Sequence, residues 1–287
     1  MRIFAIVLFI LLSCSCSFGF MVSDDNFQKE IRVLKELDID PKYINDEHFL
    51  RLKNVRMDMT KKEFINTITK EYKHAAIIKD VLKERNAPDF LLYLAIVESK
   101  LSNRATSGAK AAGIWQFIPS TAKLHNLEVD KYVDERRDPL QATHAAIDYL
   151  ERLKDRFGKW YLAILAYNAG EGKLSKAIKL AGSDDIMVLL NPKKKYLPLE
   201  SRDYLRKIIM MAYVANDSDF LISKDSSMLN SATYIGIEKV DIPGGISLRD
   251  VASTIGFSIE KLSQYNTHLR YSFTPPNRDK YYIYIPT

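Results

Sequence analysis

A chain of 287 residues, 47% hydrophobic and 27% charged, is long and apolar enough to bury a full core and to hold one large domain beside a small one. Its formal charge of +6 comes from dispersed lysines with no basic stripe interleaved with aromatics, which argues against a nucleic-acid partner. That charge suits either a solvated surface or attraction to an anionic polymer or membrane face. The two cysteines, Cys14 and Cys16, leave no disulfide scaffold or cysteine nucleophile in the folded part, and His48, His74, His125, His144 and His268 lack metal-ligand spacing.

Met1-Arg2 precedes an apolar run, Ile3 to Leu12, that ends in Ser-Cys-Ser-Cys-Ser. A basic start, an apolar stretch and small residues predict an export signal over residues 1–20. Leu11-Leu12-Ser13-Cys14 is similar to a bacterial lipobox, which makes Cys14 the expected lipidated N-terminus. The alternatives are cleavage near Gly19, or retention as an anchor, since Ile3 to Val22 carries no charge.

From Phe27 to Arg85 the pattern is helical and charged, and residues 21–75 read as a helical N-terminal extension. Lys61 to Arg85 predicts one long amphipathic helix with Phe64, Ile68, Tyr72, Ala75, Val81 and Leu82 on its apolar side. Asn86-Ala87-Pro88 punctuates the chain, with Pro88 expected in the first turn of a helix that runs from Phe90 to Glu98. Asp138-Pro139 is an N-cap and first-turn pair that opens a helix to about Phe157. Lys159 to Asn168 predicts another, stopped by Gly170 and Gly172, and Glu200 to Ala215 a last long one. Residues 76–222 therefore read as an all-helical domain.

Residues 223–233 are polar and read as a linker. The pattern then changes within 234–287: β-branched residues from Tyr234 to Ile242, a turn at Pro243-Gly244-Gly245, short helices at Leu248–Ile255 and Ser258–Tyr265, and a strand at Tyr281–Ile285. The change predicts a separable βααβ unit.

The candidate chemistry sits at Glu98. It ends an apolar segment, Phe90 to Val97, and faces a loop of small and amide residues reaching Gln116-Phe117. Apolar walls raise a carboxyl pKa toward neutrality, as a proton donor requires. No acidic residue lies between Glu98 and Glu128, so the local pattern is a one-carboxylate site. Gly108 and Gly113 are expected at tight turns; Trp115 and Phe117 are expected in the core.

The run Glu98-Ser99 to Gln116, with Ala166-Tyr-Asn-Ala-Gly-Glu-Gly172, Leu197-Pro-Leu-Glu-Ser-Arg-Asp-Tyr204 and the intervening Asp134-Glu-Arg-Arg-Asp-Pro139, resembles the motif blocks of the SLT family of lytic transglycosylases, in the same order. The C-terminal pattern, with Ile242-Pro-Gly and Asn266, resembles a divergent LysM glycan-binding module. The resemblance implies a mainly α chain: a lysozyme-like helical catalytic domain and a small βααβ module. It implies cleavage of the β-1,4 bond between N-acetylmuramic acid and N-acetylglucosamine in peptidoglycan, with Glu98 as acid and then base. The substrate's N-acetyl group and C6 hydroxyl would do the rest, giving a 1,6-anhydro end without cofactor or metal. Ser99, Ser107, Gln116, Tyr167, Asn168, Glu200 and Tyr204 are the implied substrate-contacting positions. The implied setting is the periplasm of a Gram-negative bacterium, with the lipid at the outer membrane and peptidoglycan strands as partner.

Two rivals stand beside this expectation. A hydrolytic muramidase would need Asp134 or Glu200 to hold water; a non-catalytic wall-binding protein would use both units as glue. The leader generates its own test. Cys14→Ser is expected to move the protein from the membrane to the soluble periplasmic fraction, and a native mature N-terminus at Phe20 would refute lipidation at Cys14.

Overall fold

A computed structural model describes residues 25–225 and 236–287; Cys14 and most of the expected linker lie outside the described residues. The described chain opens with α1 (Asp25–Glu36), α2 (Glu47–Lys70) and α3 (Tyr72–Glu84). The expected single helix from Lys61 to Arg85 is therefore two. Glu71 leaves helical geometry (φ −110°, ψ 32°), and its carboxylate meets His74 Nδ1 at 3.0 Å. Tyr72, placed on the apolar side by its spacing, is exposed at this corner.

The main core is built on three helices: α4 (Phe90–Ser99), α7 (Trp160–Ala169) and α10 (Leu199–Asn216). α4 and α7 are apolar on nearly every side, and helices without a polar face must be surrounded by protein. In α7 six successive residues, Tyr161 to Ala166, are buried, and in α10 seven, Ile208 to Val214. α10 packs against α1, α2, α4 and α7, and so occupies the centre. Its buried Arg206 donates through Nη2 to the Leu190 carbonyl at 2.7 Å, and Arg202 through Nε to that of Leu197 at 3.1 Å. Pro88 lies just ahead of the α4 N-cap, Asp89, rather than inside the first turn.

Around this centre lie α5 (Pro119–Leu124), α6 (Pro139–Phe157), α8 (Glu171–Ala181), α9 (Ile186–Leu189) and α11 (Ser218–Lys224). α6 starts as its sequence predicts: Asp138 accepts from the Leu140 and Gln141 amides, and Pro139 follows. α11 takes in Ser223 and Lys224, the first two residues of the expected linker.

The C-terminal unit is β1 (Ile237–Pro243), α12 (Leu248–Thr254), α13 (Ile259–Tyr265) and β2 (Lys280–Pro286), with β1 and β2 antiparallel and Val240 opposite Ile283. Tyr281 to Tyr284 are all buried, so β2 has no solvent face. The Asn266 amide fastens α13 to this strand: it donates to the Tyr284 carbonyl at 2.8 Å and accepts the Tyr284 amide at 2.7 Å.

This unit does not stand apart. Its core of Leu248, Ala252, Leu262 and Ile283 closes over Val133, which belongs to the helical part and is fully buried. The three strand tyrosines reach carboxylates of the helical part: Tyr282 Oη to Asp138 at 2.7 Å, Tyr284 Oη to Asp138 at 2.9 Å, Tyr281 Oη to Glu135 at 2.9 Å. The expected separable unit is thus joined to its neighbour by apolar and hydrogen-bonded contacts.

One glycine is decisive. Gly113 has φ +80°, and a Cβ there would lie 1.7 Å from the Arg136 carbonyl oxygen. Gly113→Ala is expected to cost on the order of 3 kcal/mol, since both backbones must shift; a melting temperature within a degree of wild type would refute this close approach.

Candidate active site

α4 delivers one carboxylate and then stops. Lys100 (φ 54°) and Leu101 (φ 59°) both adopt left-handed geometry, which turns the chain away from the helix axis directly after Glu98-Ser99. Such geometry costs about 1–2 kcal/mol for each non-glycine residue; full burial of the Leu101 side chain offsets it. The result holds Glu98 on the last turn of an apolar helix, half-buried.

Across from it, Tyr204 of α10 donates a hydrogen bond to Glu98 Oε1 at 2.5 Å. No hydrogen bond among the described residues engages Oε2. Burial pushes the Glu98 pKa up; the Tyr204 hydroxyl opposes this by stabilising the carboxylate, and the Glu200 charge adds to it. The balance lies at about 7. Glu200, one turn before Tyr204, is itself exposed at the start of α10. Burial also raises the Tyr204 and Tyr167 phenols far above their ordinary value, with the Glu98 charge second, so both remain donors.

The loop after α4 is hung from the same helices. Ser99 Oγ donates to the Ile114 carbonyl at 2.7 Å, and Tyr167 Oη of α7 donates to the Trp115 carbonyl at 2.6 Å. Gln116 comes next, with φ 50° and its amide donating to the Gly113 carbonyl at 2.8 Å. Glu98, Ser99, Tyr167, Tyr204 and Gln116 are therefore one connected group. Ser107 lies at the exposed tip of the loop, where its hydroxyl accepts the Ala111 amide at 3.1 Å. Asn168 sits half-buried near the end of α7 and makes no side-chain hydrogen bond among the described residues.

Trp115 and Phe117 are core residues, as expected; the Trp115 indole donates to Thr143 Oγ1 at 2.9 Å. Tyr149, which with Leu150 also fits the family pattern, is not among the implied substrate-contacting positions. It packs 5.3 Å from Tyr167 and 4.7 Å from His125, making an aromatic wall behind Tyr167. Its helical spacing from Ala142 and Ala146 marks only a core stripe, which is why pattern alone does not distinguish it. Asp134 is 1% exposed and bound through both oxygens by Arg136, at 2.7 and 2.9 Å. A carboxylate so enclosed presents no oxygen to a cleft water.

Two stretches of the chain match known protein families. Residues 75–189 match the family of the transglycosylase SLT domain, and residues 236–287 that of the LysM-like domain of lytic transglycosylase MltD. The chain carries an SLT domain followed by an MltD-type LysM-like domain. Membrane-bound lytic murein transglycosylase D of Escherichia coli (strain K12) is 35% identical over 198 residues, 66% of this chain and 41% of that protein. A protein of Alteromonas sp. (strain M-1) named for tributyltin chloride resistance is 38% identical over 98 residues, 34% of this chain and 47% of that protein. The chain thus spans less than half the length of either relative. The matched SLT residues include Glu98, Ser107, Gln116, Tyr167 and Asn168, whereas Tyr204 comes from α10, beyond the matched range.

The two neighbours of Glu98 predict opposite pH shifts. A reaction that needs the protonated acid falls as pH rises through about 7. Tyr204→Phe removes a donor to the carboxylate, so the falling limb should move to higher pH; Glu200→Gln removes a negative charge, so it should move to lower pH. Shifts of the same sign in rate profiles of the two variants would refute this reading of the site.

Proposed function

We propose that this chain is a peptidoglycan lytic transglycosylase that cleaves the β-1,4 bond between N-acetylmuramic acid and N-acetylglucosamine. The observation that carries the reading is a single carboxyl group, Glu98, held near neutrality by burial and fixed by Tyr204 through one oxygen only. In the proposed reaction Oε2 carries the proton and gives it to the departing glycosidic oxygen. The N-acetyl group of the substrate stabilises the positive centre left at C1. Glu98, now ionised, removes the proton of the C6 hydroxyl, whose oxygen closes on C1 to give the 1,6-anhydro ring. The Tyr204 hydrogen bond supports the ionised form between these two steps. Ser107, Gln116, Tyr167 and Asn168 would bind the sugar hydroxyl and N-acetyl groups, and Ser99 would hold the loop beside them.

Hydrolysis is the weaker reading. It requires a second carboxylate to position water, and Asp134 is tied up by Arg136, which leaves Glu200 at the exposed start of α10.

We further infer that the enzyme works in the periplasm, attached to a membrane through lipid at Cys14, with murein strands as its partner. The export pattern before Phe20 and the likeness to a relative named as membrane-bound support this. No helix among the described residues is long and apolar enough to cross a membrane.

Glu98→Gln keeps the shape and removes the transferable proton, so turnover of purified sacculi should drop by about 10³-fold or more. Muropeptides released by the wild type should carry anhydromuramic ends, lighter than hydrolysis products by one water in the mass spectrum. Reducing muramic ends as the main product would establish the hydrolytic reading instead.

A further inference from the structure

The loop between α4 and α5, which carries Ser107 and Gln116, has little regular structure of its own: two isolated bridges, Thr106 with Ala112 and Ala112 with Phe117. Two arginines hold it from below. Arg136 Nη1 donates to the Lys110 carbonyl at 2.8 Å and the Phe117 carbonyl at 3.1 Å. Arg137 donates to the Asn103 and Ala105 carbonyls at 3.1 and 3.3 Å and to Thr106 Oγ1 at 2.6 Å. Both arginines stand on the short 3₁₀ turn Glu135–Arg137.

That turn is an unusual place for so much charge. Asp134, Glu135, Arg136 and Asp138 are 1%, 8%, 6% and 0% exposed. Charges taken out of water persist only where paired and hydrogen-bonded. A large part of the pairing comes from the C-terminal unit. The three strand tyrosines cover Glu135 and Asp138. The His268 carbonyl accepts the Asp134 amide at 2.7 Å, and Arg270 Nη2 approaches Asp134 Oδ2 at 3.4 Å. Thr267 closes the circuit: its hydroxyl donates to the Arg137 carbonyl at 2.8 Å and accepts from Asn103 Nδ2, at the root of the loop, at 2.7 Å.

We propose that the LysM-like unit is a positioning element of the Glu98 site. Through Thr267, Tyr282 and Tyr284 it fixes the turn 134–138, and through Arg136 and Arg137 that turn fixes the loop presenting Ser107 and Gln116. The proposal rests on the reading of Glu98 and its loop as the glycan site. The unit thereby acts on catalysis without reaching the reacting atoms. Phenylalanine in place of Tyr282 and Tyr284 would keep the ring packing, including the stack of Tyr282 on His268, and remove only the hydroxyls.

The test compares the whole chain with Tyr282→Phe/Tyr284→Phe and, separately, with Thr267→Val. In amide hydrogen exchange, Ala112 and Gly113, whose N–H groups donate to the Phe117 and Ala105 carbonyls, should exchange about 10-fold faster in each variant while α10 keeps its protection. On soluble glycan, KM should rise about 3–10-fold, and the falling pH limb set by Glu98 should stay in place. Loop exchange and KM equal to wild type, with only retention on sacculi reduced, would overturn the proposal and make the unit an independent glycan binder. Should the tyrosine pair fail to fold, Thr267→Val decides alone. The exchange measurement needs no turnover: an inactive wild type would defeat the reading of Glu98, whereas an unchanged loop would defeat this proposal.

Discussion

The site depends on a carboxyl group at the end of a helix that has no polar face. α4 is buried from Phe90 to Ile96, apart from Tyr93, so its last turn emerges from the core with Glu98 still half-buried. Raising that group from the ordinary carboxyl value to about 7 costs the ionised fold on the order of 3 kcal/mol, a sizeable share of the 5–15 kcal/mol by which a typical domain is stable. The penalty grows as pH rises through the interval between the two values and is full above it. Two apolar helices, α4 and α7, packed on the largely buried α10 absorb it, and the return is an acid that is poised near neutral pH.

The same packing supplies the partners. α10 is the central helix, and Tyr204 faces Glu98 because the residues that follow it on that helix are locked into the core from Ile208 to Val214. α7 brings Tyr167 to the loop in the same way, with six buried residues ahead of it. A phenol hydrogen-bonded to one carboxylate oxygen does two things: it fixes the side chain, and it limits how far burial can raise the pKa. The exposed Glu200 acts in the opposite sense from one helical turn away. Opposed influences of this kind leave the acid adjustable by small changes around it.

Sequence patterning recovered the helices well where one local rule dominated. Asp138-Pro139 opened α6 because capping is a local hydrogen-bond requirement, and the strand–helix–helix–strand order followed from a change of period. It failed at Glu71, where a single residue breaks helical geometry in a run with no glycine or proline, and at Pro88, which stands one residue ahead of the cap. Tyr149 fitted the family pattern but received no site role, because a core stripe and a wall behind a site have the same spacing. The turn 134–138 was legible as a motif, but its charges carried no sign that they would be buried.

Chain pattern alone thus determined that the protein is mainly helical, that a lone carboxylate ends an apolar helix, and that a different small unit follows. Each of these is set by neighbours within a few residues, through capping, periodicity and apolar runs. Only the tertiary structure decided that Tyr204, 106 residues further along, meets Glu98, and that the C-terminal unit shares its core with Val133 rather than standing free. Both depend on how buried surfaces divide between distant elements, a competition that no local stretch of the chain encodes.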